Sequence, residues 1–166
     1  VATILNNEPL AKSRDLFNKI YTTDSKEHSE LNTELLKYGV ERLSHEIKVT
    51  FSIIESVFED QGTTIINVVN AKSRNPAKES FFSIFMSFFY LVVNEEKSPA
   101  ENDKIIIALK DLQKQMTSTA NYSVSSDREK NINLTTGLIQ KFFVKKDPPV
   151  LKHGAGLSLD FENSIR

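Results

Sequence analysis

The residues whose types and spacing could do chemistry are few, and the clearest group is basic. Lysines gather near the carboxyl end of the chain, beside two phenylalanines: Lys141, Lys145, Lys146 and Lys152, with Phe142 and Phe143. Lysine amines bind the phosphates of a nucleic-acid backbone, so the cluster predicts a DNA contact. The alternative is structural: lysines at a helix end complement the helix dipole and the phenylalanines belong to the core. The pattern favours this alternative without excluding the first.

The histidines do not form a recognisable catalytic or metal site. His28, His45 and His153 lie far apart in the chain, and no two of them are spaced as ligands on one helix face. We interpret each as a solvated surface residue. Cysteine is absent, which removes thiolate nucleophiles and cysteine-based zinc sites. We therefore predict no catalytic residue and no metal ligand, and keep as an alternative a hydrolase that acts through helix carboxylates and His45.

Nucleotide and cofactor sites are also not predicted. The chain has five glycines, none of them in a GxxxxGK or GxGxxG loop that would cradle phosphates. The formal net charge is -1 and the sequence pI is near 6.4, so no overall basic field would draw the whole chain onto DNA. Any DNA contact must be local.

Apolar residues recur at helical spacing over most of the chain and predict an all-α fold, an irregular bundle of about five helices. The strongest pattern predicts one long helix that continues through Gly39, where the glycine marks a bend or a close helix contact, and ends near Gly62. Its apolar stripe consists of Leu36, Val40, Leu43, Ile47, Phe51, Ile54 and Phe58.

The other helices follow from capping signals and from composition. Residues 9–21 predict a first, short helix, and residues 81–93 are apolar nearly all round, which is typical of a helix at the centre of a bundle. The sequence Ser98-Pro99-Ala100-Glu101 has the form of a capping box and predicts a helix over residues 100–116. A second such signal at Ser126 to Glu129 predicts the start of the last helix, whose apolar positions extend from Ile132 to Phe143. The β-branched run 63–69 predicts either a short helix or an extended connector.

The composition changes near residue 145 and predicts a domain boundary. Residues 1–145 are expected to form the helical bundle, and residues 146–166, rich in proline, glycine and lysine, a linker and the start of a following element. We expect the chain to be a piece of a larger protein. Without cysteine, a signal peptide or an apolar run of about 20 residues, the expected location is the cytoplasm, with no membrane partner.

The order of these features over residues 31–143 resembles the helical half of the ParB/sulfiredoxin-like family found in GmrSD-type restriction and other anti-phage proteins. The likeness lies in a long helix ending in Phe58-Glu59-Asp60, an aromatic helix over 81–93, a polar capped helix and a serine-rich start to the last helix. The family's Asp-Gly-Gln-Arg type motif is absent, so no catalytic residue is carried over.

The resemblance implies a non-catalytic helical domain of a bacterial DNA-targeting defence protein. Such a domain would pack between an NTPase-like domain and an HNH nuclease domain and would contact DNA; the lead-in to the nuclease would be residues 159–166. The parent protein would then be a nuclease although this part is not an enzyme and binds no cofactor. The alternative is a stand-alone module for protein–protein interaction or oligomerisation, since the chain combines many apolar residues with no site.

Overall fold

The computed structural model describes residues 1–6, 9–10, 13–69, 77–116 and 125–146, and these are mostly helical. The helices are α1 (Ala2–Leu5), α2 (Arg14–Tyr21), α3 (Lys26–Tyr38), α4 (Val40–Glu59), α5 (Ile65–Val68), α6 (Ala77–Phe89), α7 (Asn102–Leu109), α8 (Leu112–Gln115) and α9 (Ser125–Ile139). A π-helical turn, Tyr90–Asn94, continues α6, and a 3-10 turn, Gln140–Phe142, continues α9. Strands β1 (Lys97–Pro99) and β2 (Phe143–Lys145) form a two-stranded antiparallel sheet. The all-α prediction is confirmed.

None of the described helices combines the length and the apolar character needed to cross a bilayer. The boundary predicted at residue 145 cannot be compared with the structure, because residues 147–166 lie outside the described residues.

The core lies around α6, as predicted from its apolar composition. Ile84, Phe88 and Leu91 have no exposed surface, and they pack between α4 on one side and α9 on the other. Phe88 also meets the edge of Phe143, with ring centres 5.2 Å apart. The helix is not buried all round, since Tyr90, in the π-helical turn, remains 44% exposed. The central position is therefore confirmed, while one face of the segment reaches the surface.

Small polar side chains let α6 and α9 approach each other closely. Ser80, Ser83 and Ser87 of α6 are buried, as are Asn131 and Thr135 of α9. The hydroxyl of Thr136 donates to Ser87 Oγ at 2.9 Å, and Ser87 in turn donates to the carbonyl of Ile132 at 3.3 Å. Because buried polar groups are stabilising only when paired, these bonds fix how the two helices sit against each other.

The single long helix predicted through Gly39 is wrong: the chain forms two helices, α3 and α4, that meet at this glycine. Gly39 has φ +92° and ψ 120°, a conformation that side-chain-bearing residues rarely adopt. Leu36 is consequently 77% exposed and Val40 48% exposed, and the buried stripe begins only at Leu43. Apolar spacing could not reveal the break, because a single glycine reorients the backbone without disturbing the pattern of residue types.

Side chains on both sides of Gly39 stabilise the turn between α3 and α4. The hydroxyl of Tyr38 donates to Glu46 Oε2 at 2.6 Å, and Arg42 Nε donates to the other carboxylate oxygen at 2.8 Å. The Arg42 guanidinium also lies 4.9 Å from the centre of the Tyr38 ring. Burial above all, followed by the hydrogen bond to Glu46, raises the pKa of Tyr38 to about 12. The phenol is thus held in its neutral form.

The capping-box interpretation of Ser98 to Glu101 is also wrong. Ser98 and Pro99 lie in β1, where Ser98 pairs with Val144 and Pro99 with Phe143, and α7 begins only at Asn102. The residue before a proline favours an extended backbone, and proline is tolerated in a short edge strand. The strand forms because its partner, 44 to 48 positions along the chain, is available, and no local pattern indicates that.

Two further segments differ from the predicted helix boundaries. The helix predicted over 100–116 is interrupted at Asp111, which has φ +56° and donates its N–H to the carbonyl of Val68 at 3.1 Å. The predicted apolar face is buried all the same: Ile105, Leu109, Leu112 and Met116. The last helix ends at Ile139 rather than at residue 143, because the chain turns there into β2. Of the two forms left open for 63–69, the structure has the helix, α5, capped by Thr64.

Candidate nucleic-acid interface

The two-stranded sheet places two lysines opposite each other. Lys145 pairs with Lys97 in the antiparallel register, so their Cα atoms lie about 4.5 to 5.5 Å apart. Lys145 is exposed and Lys97 is partly exposed. Like charges in this arrangement repel and weaken a sheet. The pair therefore needs a negative group nearby, from the protein or from a ligand.

Glu95 supplies part of that negative charge. Its carboxylate forms an ion pair with the Lys97 amine. The hydrogen bond from Lys97 lowers the pKa of Glu95 most, followed by a hydrogen bond from Tyr90 and by the charge of Lys145. The same hydrogen bond raises the pKa of the Tyr90 hydroxyl. Glu95 thus stays ionised and compensates Lys97, whereas Lys145 has only a longer-range interaction with it.

The other predicted lysines are distributed around the same strand. Lys146 is exposed directly after β2, where its N–H donates to the carbonyl of Glu96 at 3.1 Å. Lys141 is exposed in the turn that leads into β2, with its amine 5.0 Å from the centre of the Phe142 ring. Lys152 lies outside the described residues. Within the described part of the chain, no acidic side chain forms an ion pair with Lys141, Lys145 or Lys146.

The alternative interpretation of this cluster, lysines at a helix end beside core phenylalanines, can be compared with the structure. Lys145 and Lys146 lie in and after a strand, so a helix dipole does not account for them, whereas Lys141 lies in the 3-10 turn that continues α9, as that alternative expects. Phe143 is also a core residue, as that alternative expected. We call Lys97, Lys141, Lys145 and Lys146 the basic strand pair. Sequence reasoning missed Lys97, because only the pairing of β1 with β2 brings it to the other lysines.

The histidines take different roles from each other. His28 is partly buried: its Nδ1 donates to the carbonyl of Ile20 at 2.8 Å, and its Nε2 lies 2.8 Å from the amide nitrogen of Asn32. It therefore links the end of α2 to α3, and its interpretation as a solvated residue is wrong. His45 is exposed on α4, and His153 lies outside the described residues. Among the residues that the structure describes, no three His, Asp or Glu side chains are grouped so as to hold a metal ion.

A separate, apolar groove lies at the carboxyl end of α4. It has a volume of about 530 Å³ and is bounded by Phe58 of α4, Ile65 and Ile66 of α5 and Phe81 of α6. Ile66 is 60% exposed and adds apolar surface to the groove. Such a groove is typical of a surface that binds another protein.

Comparison of the chain with protein-family models, with curated proteins and with solved structures finds no match. The likeness to the ParB/sulfiredoxin-like family stays a prediction.

Proposed function

We propose that this chain is a non-catalytic helical domain that contacts the phosphate backbone of DNA through the basic strand pair. The observation that carries the proposal is the register of the sheet, which sets Lys145 opposite Lys97 and is followed at once by Lys146. Because Glu95 compensates Lys97, the amines left at this edge of the sheet for a phosphate are those of Lys145 and Lys146, and a phosphate there would also relieve the repulsion between Lys145 and Lys97. The sheet then serves to hold the cations at fixed positions.

The contact is expected to be weak and sensitive to salt. Lys97 is compensated by Glu95, which leaves Lys141, Lys145 and Lys146 as the amines that can neutralise phosphates. Each phosphate neutralised contributes about -0.9 to the slope of log affinity against log salt, so three contacts give a slope of about -2 to -3. That is the slope of an auxiliary contact within a larger DNA-binding protein.

The wider setting comes from the family resemblance. We propose that the domain packs between an NTPase-like domain and a nuclease domain of a bacterial defence or restriction protein. In that setting the neighbouring domains perform the chemistry, and this domain positions them on DNA.

Fluorescence anisotropy with a labelled DNA duplex tests the contact. We expect binding at about 50 mM salt that weakens toward 200 mM with the slope given above, and a slope nearer zero for Lys145→Ala/Lys146→Ala. The matched control is Lys26→Ala/Lys48→Ala, which removes two exposed lysines from α3 and α4 and should leave the slope unchanged. Absence of binding at low salt, or equal losses in the two double variants, would overturn the proposal.

A second candidate function is self-association, as expected of an oligomerisation module, and the groove of α4, α5 and α6 favours it. If the groove binds a second copy, the mass measured by light scattering should rise with protein concentration, and Ile66→Glu should abolish the rise. Ile66 is mostly exposed, so this change should leave the fold intact. A mass equal to one chain at every concentration would exclude this candidate.

A further inference from the structure

A second groove lies between the amino-terminal segment and the helices α6 and α9. Its volume is about 730 Å³, within the range of sites that hold small organic molecules. One wall comes from α1 and Pro9, the second from the π-helical turn after α6, and the third from one face of α9. Segments distant in sequence, together with Tyr38 at the end of α3, therefore form a concave surface that shares no described lining residue with the apolar groove of α4 and α5.

The π-helical turn forms one wall of this groove. A π-helix inserts an extra residue into a turn, and such insertions often occur at functional sites. Here the turn spans Tyr90–Asn94, and both of its end residues line the groove. Tyr90 is thereby 44% exposed although it follows directly on α6, whose apolar side chains lie in the core. An exposed aromatic ring in a concave wall offers a surface on which a planar ligand can stack.

Carboxamides supply most of the unused hydrogen-bonding capacity. Asn94, Asn133 and Gln140 line the groove and are exposed, and their side-chain amides form no hydrogen bond within the described residues. Each amide can donate and accept at once, which suits a ligand edge that carries both kinds of group. Asn and Gln side chains recognise base edges in this way.

The charge of the lining excludes an anionic ligand. None of the described residues around the groove is a lysine, an arginine or a histidine. Of its two carboxylates, Glu95 is already bound by Lys97 and Tyr90, and Glu129 is exposed at the side. A free phosphate would meet no cation here, whereas a cation would meet only the exposed carboxylate of Glu129, since that of Glu95 is already bound by Lys97. A neutral ligand fits the lining best.

Gly137 lines the groove with backbone alone and is exposed. It lies in the interior of α9, where glycine weakens a helix relative to alanine. A Cβ added there would meet no atom within 4 Å, so packing among the described residues does not require a glycine. The missing side chain instead leaves space in the groove that Gly137 lines.

We propose that this groove binds a planar, uncharged heterocycle with donors and acceptors on its edge, of the nucleobase class. The ring would stack on Tyr90, the carboxamides would pair with its edge, and the space over Gly137 would admit it. This inference goes beyond the phosphate contact, since it uses none of the lysines. The ligand could be a free nucleoside or an unpaired base of a nucleic-acid strand, and these share the same chemistry.

Isothermal titration calorimetry with unphosphorylated adenosine, guanosine, cytidine and uridine tests the proposal. We expect at least one to bind at a single site, and Gly137→Leu to weaken that binding by about tenfold or more while the helix content stays unchanged. Asn133→Ala, a change at an exposed position, should weaken it several-fold, and Lys145→Ala/Lys146→Ala should not affect it. If no nucleoside binds at millimolar concentration, or if binding is undiminished in Gly137→Leu, the proposal is overturned.

A parallel titration with a short single-stranded oligonucleotide separates the two sources of the ligand. If the natural ligand is a base in a strand, the oligonucleotide should bind more tightly than the nucleoside, and both should lose affinity in Gly137→Leu. Equal affinities would assign a free nucleoside. Oligonucleotide binding that Gly137→Leu leaves intact, without nucleoside binding, would belong to the lysines alone and would contradict a base site here.

Discussion

Replacement of Gly39 by alanine should destabilise the protein, because this residue separates α3 from α4. Its φ of +92° and ψ of 120° lie where a residue with a Cβ is strained, at a cost of about 1 to 3 kcal/mol. An added Cβ would lie 3.6 Å from Arg42 Cβ, an ordinary contact, so the cost is one of backbone strain alone. The stiffer unfolded chain returns about 0.4 to 1 kcal/mol. We expect a net loss of about 1 to 2 kcal/mol in the free energy of unfolding.

Gly137→Ala is the matched control, with the opposite expected sign. Gly137 lies within α9, its φ is not in the left-handed region, and a Cβ there meets nothing within 4 Å. Alanine should therefore raise the free energy of unfolding by about 1 kcal/mol through its higher helix propensity. The two variants make the same chemical change in different backbone conformations.

Urea denaturation followed by circular dichroism measures both effects. The midpoint should fall for Gly39→Ala and rise for Gly137→Ala, with the slope of the transition unchanged. For a chain of this size, each kcal/mol lost from the free energy of unfolding lowers the melting temperature by about 2 to 4 °C. Gly39→Ala should therefore lower the melting temperature by about 2 to 8 °C. If Gly39→Ala were stabilising as well, α3 and α4 would form the continuous helix that the apolar spacing predicts, and the account of the break would be refuted.

Three further predictions concern a titration, an ion pair and the core. The folded state raises the pKa of Tyr38 to about 12 from an unfolded value near 10. The free energy of unfolding should therefore be highest below about pH 10 and fall as the pH rises toward 12. Tyr38→Phe should show less of this fall when urea titrations at about pH 9 and pH 11 are compared. Arg128→Ala should lower the free energy of unfolding by about 3 kcal/mol, since the guanidinium lies 3.5 Å from the buried carboxylate of Glu79. A loss below about 1 kcal/mol would contradict a stabilising role for this ion pair. Ile54→Ala should lower the free energy of unfolding by about 2 to 5 kcal/mol. Leu36 lies in the same predicted stripe but is 77% exposed, so Leu36→Ala should change it by less than about 0.5 kcal/mol. Equal losses in the two variants would contradict the break at Gly39.

The sequence predicted the parts of this fold that depend on local composition. The apolar segment 81–93 was assigned to the centre because a helix with few polar positions must be buried, and α6 lies there. The buried face of Ile105, Leu109, Leu112 and Met116 followed from spacing in the same way. These predictions succeeded because burial of apolar side chains is the strongest term in folding and leaves a periodic trace in the sequence.

The features that the sequence did not predict depend on contacts between distant residues or on one backbone angle. Ser98 and Pro99 carry a local helix-start signal, but they pair with residues 46 and 44 positions further along the chain. That pairing also brings Lys97 to Lys145, so the candidate site was only partly predicted. The groove of Tyr90 and Gly137 combines α1, Tyr38, the π-helical turn and α9, which only the tertiary fold brings together.

Mapping the DNA contact by nuclear magnetic resonance tests the central claim most directly. An isotope-labelled sample titrated with a short DNA duplex at low salt should show amide shift changes at residues 95–98 and 141–146, the two segments that present the basic strand pair. Amides of α5, beside the apolar groove, should not move. An unchanged spectrum, or changes confined to α5 and the end of α4, would contradict the assignment of the basic strand pair as the DNA contact.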